Sequence, residues 1–237
     1  MLSRGTRRPA GGTVPLLVAS GLTVLALAAC GSSGTDSASG PSGSDAGSGA
    51  VTVRTDFADG VPPHWEARRA SVEHGSGADG PPSWVRLDAA GAPAYASLPP
   101  AALASDRHHF AFAGRFRVRS RATDQTVGLA TVANSAHEHH ADLFVDRTSG
   151  RCRVDLFEDD TAMSPIPCDD GSWHRVTMRG DFGSSAYALS WTLDGVTMPS
   201  IRSTAQPPAT VHRLWLGDAT PDKTNVTDWT DVSLTLT

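Results

Sequence analysis

The ten residues 135–144, SAHEHHADLF, bring together three histidines, a glutamate and an aspartate. In an extended chain alternate side chains share a face, so Glu138, His140 and Asp142 would project together and His137 with His139 would project opposite. Two carboxylates with an imidazole between them are the material of acid/base catalysis. Two neutral imidazoles side by side are instead the material of a metal site. A helical His-Glu-x-x-His zinc motif needs histidines four apart, whereas here the spacings are two, three and one. A metal reading therefore rests on His137 and His139, with a further ligand from elsewhere, such as His108 or His109. The competing reading is a polar strand edge with solvated histidines.

Other chemistry has less support. The stretch DLFEDD, residues 155–160, puts Asp155, Phe157 and Asp159 on one face and Glu158 with Asp160 on the other, and reads as a solvated strand end. No Gly-x-Ser-x-Gly elbow is present. GSGADG, residues 75–80, lacks the lysine and the strand-to-helix setting of a phosphate loop. Exposed Trp and Tyr rings can stack against the apolar faces of sugars. Trp173 and Trp191 lie at core-like phases of their runs. Trp84 follows GPPS in an irregular-looking stretch and Trp215 is out of phase with Leu214 and Leu216, which makes these two the ligand-facing candidates. Arg115 and Arg117 line the polar side of one run with Arg119 and are candidates for meeting an acidic glycan.

The elements that would position these residues are strands. HFAFAGRFRV alternates Phe110, Phe112, Gly114, Phe116 and Val118 against Arg115 and Arg117. RCRVDLFED alternates Cys152, Val154 and Leu156 against Arg151, Arg153 and Asp155; AYALSWTLDG alternates Tyr187, Leu189, Trp191 and Leu193 against smaller or polar partners. HRVTMRG, HRLWLGD and WTDVSLTLT behave alike. Turn signals separate the runs: RTSG at 147–150, DDGS at 169–172, and Asp194-Gly195. Beyond a short turn at 100–105, no long stretch has helical periodicity. Many short strands over residues 51–237, with neither an internal linker nor a repeat, predict one all-β antiparallel sandwich or barrel.

The N-terminus predicts where that domain works. Arg4, Arg7 and Arg8 precede an apolar stretch, Val14 to Ala29, that is interrupted by Pro15, Ser20 and Gly21. It falls short of the roughly 20 apolar residues of a spanning helix and reads as an export signal. Leu27, Ala28, Ala29 and Cys30 resemble the lipobox of bacterial lipoproteins. That resemblance implies a signal peptide at 1–29, lipidation of Cys30, and a membrane-anchored protein facing the extracytoplasmic side, with membrane lipid as its first partner. Residues 30–50 are then the lipidated cysteine and a Gly/Ser-rich linker, whose 20 residues after Cys30 reach about 25 Å as a random coil. With Cys30 lipidated, only Cys152 and Cys168 remain, and in an oxidising compartment they are expected to form a disulfide worth ~3 kcal/mol rather than stay as buried thiols. The chain carries a net charge of -5, and three of its arginines belong to the leader, which argues against a nucleic-acid binder.

GSWHRVTMRGDF (171–182) followed by YALSWTLDGV (187–196) resembles the central hairpin of laminin G-like domains in the concanavalin A-like lectin/glucanase superfamily. DFADGVPPHW (56–65) resembles the opening strand of such domains, and DWTDVSLTLT (228–237) the closing strand that pairs beside it. The resemblance implies a jelly-roll β-sandwich of two antiparallel sheets, one concave. It also implies calcium as a candidate cofactor, for which the acidic stretch 218–228 is available without the spacing of a calcium loop. Related glucanases carry Glu-x-Asp-x-Glu on one strand; here the nearest run is Glu138, His140 and Asp142, with a histidine at the centre. Two functions follow. One is a non-catalytic module that binds glycan or surface protein; the other is a divergent glycan hydrolase or lyase using those three residues. The first is the expectation.

Overall fold

A computed structural model describes residues 49–76, 80–103, 105–157, 160–203 and 207–237. The leader, Cys30 and most of the linker lie outside the described residues. Among the described residues there are sixteen strands and no helix. In chain order they are β1 (Val51–Thr55), β2 (Glu66–Arg68), β3 (Ala70–His74), β4 (Ser83–Asp88), β5 (Ala94–Leu98), β6 (His109–Arg121), β7 (Val127–Ala133) and β8 (His140–Val145). There follow β9 (Arg151–Leu156), β10 (Asp160–Pro167), β11 (His174–Asp181), β12 (Ala188–Leu193), β13 (Val196–Thr197), β14 (Ile201–Arg202), β15 (Arg213–Asp218) and β16 (Asn225–Leu236).

They form two antiparallel sheets. The nine-stranded sheet runs β13-β12-β11-β6-β16-β4-β3, with β1 beside β16 and β14 beside β12; the seven-stranded sheet runs β10-β9-β8-β7-β15-β5-β2. The longer strands turn one face to a shared core. On β6 that face is Phe110, Phe112, Phe116 and Val118, and on β12 it is Leu189, Trp191 and Leu193, all buried as the alternation predicted. Gly114 interrupts the β6 row because Trp229 lies above it: a Cβ there would sit 3.0 Å from the indole. Trp229 is fully buried against Phe112 and Phe116, so β6 and β16 are locked ring against ring at the middle of their sheet.

Turn chemistry sets the registers. Asp194 (φ 52°) and Gly195 (φ 79°) both occupy the left-handed region, making the tight two-residue turn between β12 and β13. His174, nearly buried on β11, ties that turn down: its Nδ1 lies 2.8 Å from an Asp194 oxygen and its Nε2 3.1 Å from Asp170. Burial works to raise the Asp170 pKa, but the Ser172 N–H and His174 outweigh it and hold the carboxyl below its ordinary value. Cys152 and Cys168 are joined, as expected, across a separation of 16 residues. One boundary differs from the sequence reading. The opening strand is β1, not residues 56–65, although it does pair with the closing strand, Val51 opposite Leu236. Gly60 at φ 104° and the prolines at 62 and 63 prevent a ladder in that stretch, which instead buries Phe57 and Trp65.

The β8–β9 hairpin is closed by Asp146, whose carboxylate accepts the N–H of Ser149 (2.9 Å), the Ser149 hydroxyl (2.8 Å) and the N–H of Thr148 (3.1 Å). The Ser149 donors hold its pKa below the usual carboxylate value. A depressed folded-state pKa contributes stability above the unfolded pKa, and that stability is lost as pH falls through the folded value. The expected result for Asp146→Asn is a lower urea-unfolding midpoint at neutral pH and a flatter acid limb, so that the difference from wild type narrows as the pH falls below about 4.

Candidate functional site

The outer face of the seven-stranded sheet carries an in-register row with one residue from every strand. Glu66 lies opposite Ser97, Ser97 opposite Trp215, Trp215 opposite Thr131, Thr131 opposite Asp142, Asp142 opposite Asp155, and Asp155 opposite Thr161. Seven strands at 4.7–4.9 Å spacing make the row about 29 Å long. Its two ends differ in chemistry.

At one end two carboxylates face each other. Asp142 and Asp155 are each only 6% exposed although they point away from the core. Thr131 Oγ1 donates to Asp142 Oδ1, His140 Nε2 lies 3.4 Å from Asp142 Oδ2, and Arg153 donates to Asp155 Oδ2 at 2.7 Å. Like charges directly opposite on a sheet repel, and these donors offset the repulsion. His140 lies between two rings, with His137 stacked at 4.9 Å and Phe157 at 6.0 Å; its Nδ1 is buried without a hydrogen-bond partner. At the other end Trp215 is half-buried. The edge of its ring meets His137 at 4.8 Å, and the Arg213 guanidinium covers it at 4.6 Å. Beside it a depression of about 380 Å³ is lined by Glu66, Arg68, Tyr95, Ser97, Arg213 and Trp215, among others.

The opening cluster thus converges with other polar groups, but not as an unbroken strand. Strand pairing in β8 starts only at His140. Asn134 Oδ1 accepts the N–H groups of Glu138 (2.9 Å) and His139 (3.3 Å), and His137 takes φ 60°, so 134–139 is a turn. Glu138 is therefore exposed on that turn and does not share a face with His140 and Asp142. His137 and His139 also part company: His137 stacks on His140, while His139 Nδ1 meets the Tyr187 hydroxyl at 3.1 Å. Burial raises the pKa of that phenol, which also donates to the Pro207 carbonyl. Among the described residues no group of three or more His, Cys, Asp or Glu is gathered to hold a metal ion. In the stretch proposed for calcium, Asp218 is spent on the N–H groups of Gly128 (3.1 Å) and Thr220 (2.9 Å).

Arg153, Thr131 and Arg213 are site residues that the sequence reading did not single out, and Asp155, read there as part of a solvated strand end, is instead nearly buried. Asp155 was within reach. With Asp146 pairing to Arg151 across the RTSG turn, counting outward along the hairpin brings Asp142 opposite Asp155.

The remaining candidates lie on the other sheet. Asp228, fully buried, receives Arg86 (3.1 Å), Arg117 (2.6 Å) and Arg119 (2.6 Å). The Arg117 guanidinium also lies 4.6 Å from the Trp173 ring and 5.5 Å from Trp84, and those two rings meet edge to face. Trp84 belongs to β4 rather than to an irregular stretch, and the chain at Gly75 passes close over it, a Cβ there meeting the ring at 2.9 Å. Trp173, read as a core residue, sits in this outer cluster instead. Arg117 and Trp84 are thus engaged within the fold, whereas Arg115 stays 36% exposed, 3.6 Å from Asp231.

No protein-family model matches the chain, and no curated protein sequence does. Solved structures do. Cellulose induced protein, Cip1, is similar at a TM-score of 0.55 and 11% identity, covering 77% of this chain and 96% of its own. The carbohydrate recognition domain of Emp47p matches at 0.50 and 13%, covering 81% and 98%. Domains LG4-5 of the mouse laminin alpha1 chain match at 0.46 and 18%, covering 62% of this chain and 40% of theirs. With its two antiparallel sheets and no helix among the described residues, the domain is an all-β antiparallel sandwich with the concanavalin A-like fold.

Removing the Asp228 carboxylate leaves three guanidinium groups facing one another. Because those groups keep some access to water, the cost of Asp228→Ala is expected near the lower end of the ~3–5 kcal/mol for breaking a buried pair, read as a fall in urea-unfolding free energy.

Proposed function

We propose that this chain is an extracytoplasmic lipoprotein whose β-sandwich binds glycan, without catalysis, through the outer face of the seven-stranded sheet. The observation that carries the reading is Trp215: a half-buried indole at the rim of a 380 Å³ depression, in register with a polar row that spans the sheet. An indole face stacks on the apolar face of a pyranose, and Glu66, Arg68, Tyr95, Ser97 and Arg213 are placed to read hydroxyls around it. A fold shared with a carbohydrate recognition domain agrees with this.

The carboxylates favour binding over hydrolysis. A retaining glycosidase needs one carboxyl free to attack and another free to donate a proton, about 5–5.5 Å apart. Asp142 and Asp155 do face each other, but both are nearly buried and already engaged by Thr131, His140 and Arg153. Attachment at Cys30 would hold the domain on its tether outside the membrane, where polymeric glycans are met.

On a glycan array the wild-type chain should retain a defined set of neutral oligosaccharides, and Trp215→Ala should lose at least tenfold in affinity while keeping its unfolding midpoint. Release of reducing ends by wild type but not by Asp142→Asn would replace the binding reading with the hydrolytic one. For the anchor, radiolabelled palmitate should enter the wild-type chain expressed in a bacterial host and not Cys30→Ser; equal labelling of both would remove the lipoprotein assignment.

A further inference from the structure

Several arginines of the domain are paired with carboxylates. Arg86, Arg117 and Arg119 converge on Asp228, Arg121 pairs with Asp169, Arg153 with Asp155, and Arg107 with Asp106. Arg54, Arg175, Arg179 and Arg202 have no carboxylate partner among the described residues, and all four are exposed on the outer face of the nine-stranded sheet. Arg179 and Arg202 flank a common floor, and Arg54 and Arg175 stand farther out on the same face. Arg179 lies between Ala111 and Ser190, Arg202 is opposite Ala188, and Arg54 is opposite Ser233, which in turn faces Ala113. Arg175 lies directly opposite Arg115, a like-charge pair that costs stability unless something else meets it.

The floor residues are small, so the arginines stand above them and the sheet is hollowed. A depression of about 620 Å³ runs between Arg179 and Arg202 over Ala111, Ala188 and Ser190. The carboxylates nearby are occupied: Asp181 lies 3.4 Å from His109 at the end of the depression, Asp231 pairs with Arg115, and Asp194 is held by His174 and the Arg175 N–H. The hollow is thus a basic surface on a chain of net charge -5.

We propose that this hollow is a second binding surface, distinct from the Trp215 face, for a linear glycan bearing oxyanions, either uronate carboxylates or sulfate esters. Guanidinium forks match such groups with paired hydrogen bonds. The arginines are spread over about 24 Å across the strands from β14 to β1, and Arg175 is about 13 Å from Arg179 along β11, which suits a polymer with repeated charges better than a single ion. Of the rings at its lining, Phe110 is buried and His109 faces Asp181, which leaves little for a base to stack on, so single-stranded nucleic acid is the poorer fit.

The test is affinity electrophoresis of the full-length chain in detergent, through gels containing polygalacturonate, dextran sulfate or uncharged dextran. Retardation by polygalacturonate, by dextran sulfate or by both, weakening as salt is raised, is expected; the polymer that retards names the oxyanion. Arg179→Ala/Arg202→Ala should weaken that retardation at least tenfold. Trp215→Ala, on the other sheet, should not change it, and neither should Arg147→Ala/Arg151→Ala, which removes the same charge elsewhere. Absence of retardation by both polyanions at low salt would overturn the proposal, as would equal losses in the two double-arginine variants. Tighter, Arg179-dependent binding of an oligothymidylate would reassign the hollow to nucleic acid.

Discussion

The longer strands of this domain bury one face, and the pleat then dictates what the other face shows. Residues two apart share a side, so once Phe110, Phe112 and Phe116 enter the core, Ala111, Arg115 and Arg117 are obliged to face outward. A slip of one residue would exchange the two sets. Contacts that resist such a slip in the nine-stranded sheet are Trp229 over Gly114 and Phe110 over Gly180, where a Cβ would collide with the ring. Both outer surfaces inherit their order from this constraint.

The two surfaces use charge differently. On the seven-stranded sheet acids and bases are interleaved at close range, each carboxylate answered by a threonine, a histidine or an arginine, and the result is a nearly buried polar patch beside an aromatic one. On the nine-stranded sheet one acid, Asp228, takes up three arginines near one end, and the arginines of the other end are left without acids. The first arrangement is rigid and suits recognition of hydroxyls and sugar faces. The second leaves guanidinium groups hydrated and ready to exchange water for an oxyanion. The candidate residues Trp215 on the one hand and Trp84, Arg115 and Arg117 on the other therefore do not form one site.

Turns carry much of the precision. The β8–β9 hairpin owes its register to Asp146 and the four residues after it, and that register alone sets Asp142 against Asp155. The turn before β8 owes its shape to Asn134, which captures two backbone N–H groups and lifts Glu138 and His139 out of the strand pattern. A single amide side chain thereby separates the residues that an extended reading would have grouped.

What could be read from residues alone was whatever depends on local periodicity and turn chemistry. The all-β class, the core faces of β6, β9 and β12, the Asp194-Gly195 turn and the Cys152–Cys168 bond all follow from alternation, from glycine and aspartate at positive φ, and from a count of cysteines. Which strands lie side by side was decided only by the folded sandwich, because pairing over long sequence separations depends on how the two sheets close on a common core. Hence Trp215 meeting His137, Asp228 gathering Arg86 with Arg117, and Arg179 and Arg202 bordering one hollow are properties of the assembled sheets. Nearest neighbours in the chain have no means of encoding them.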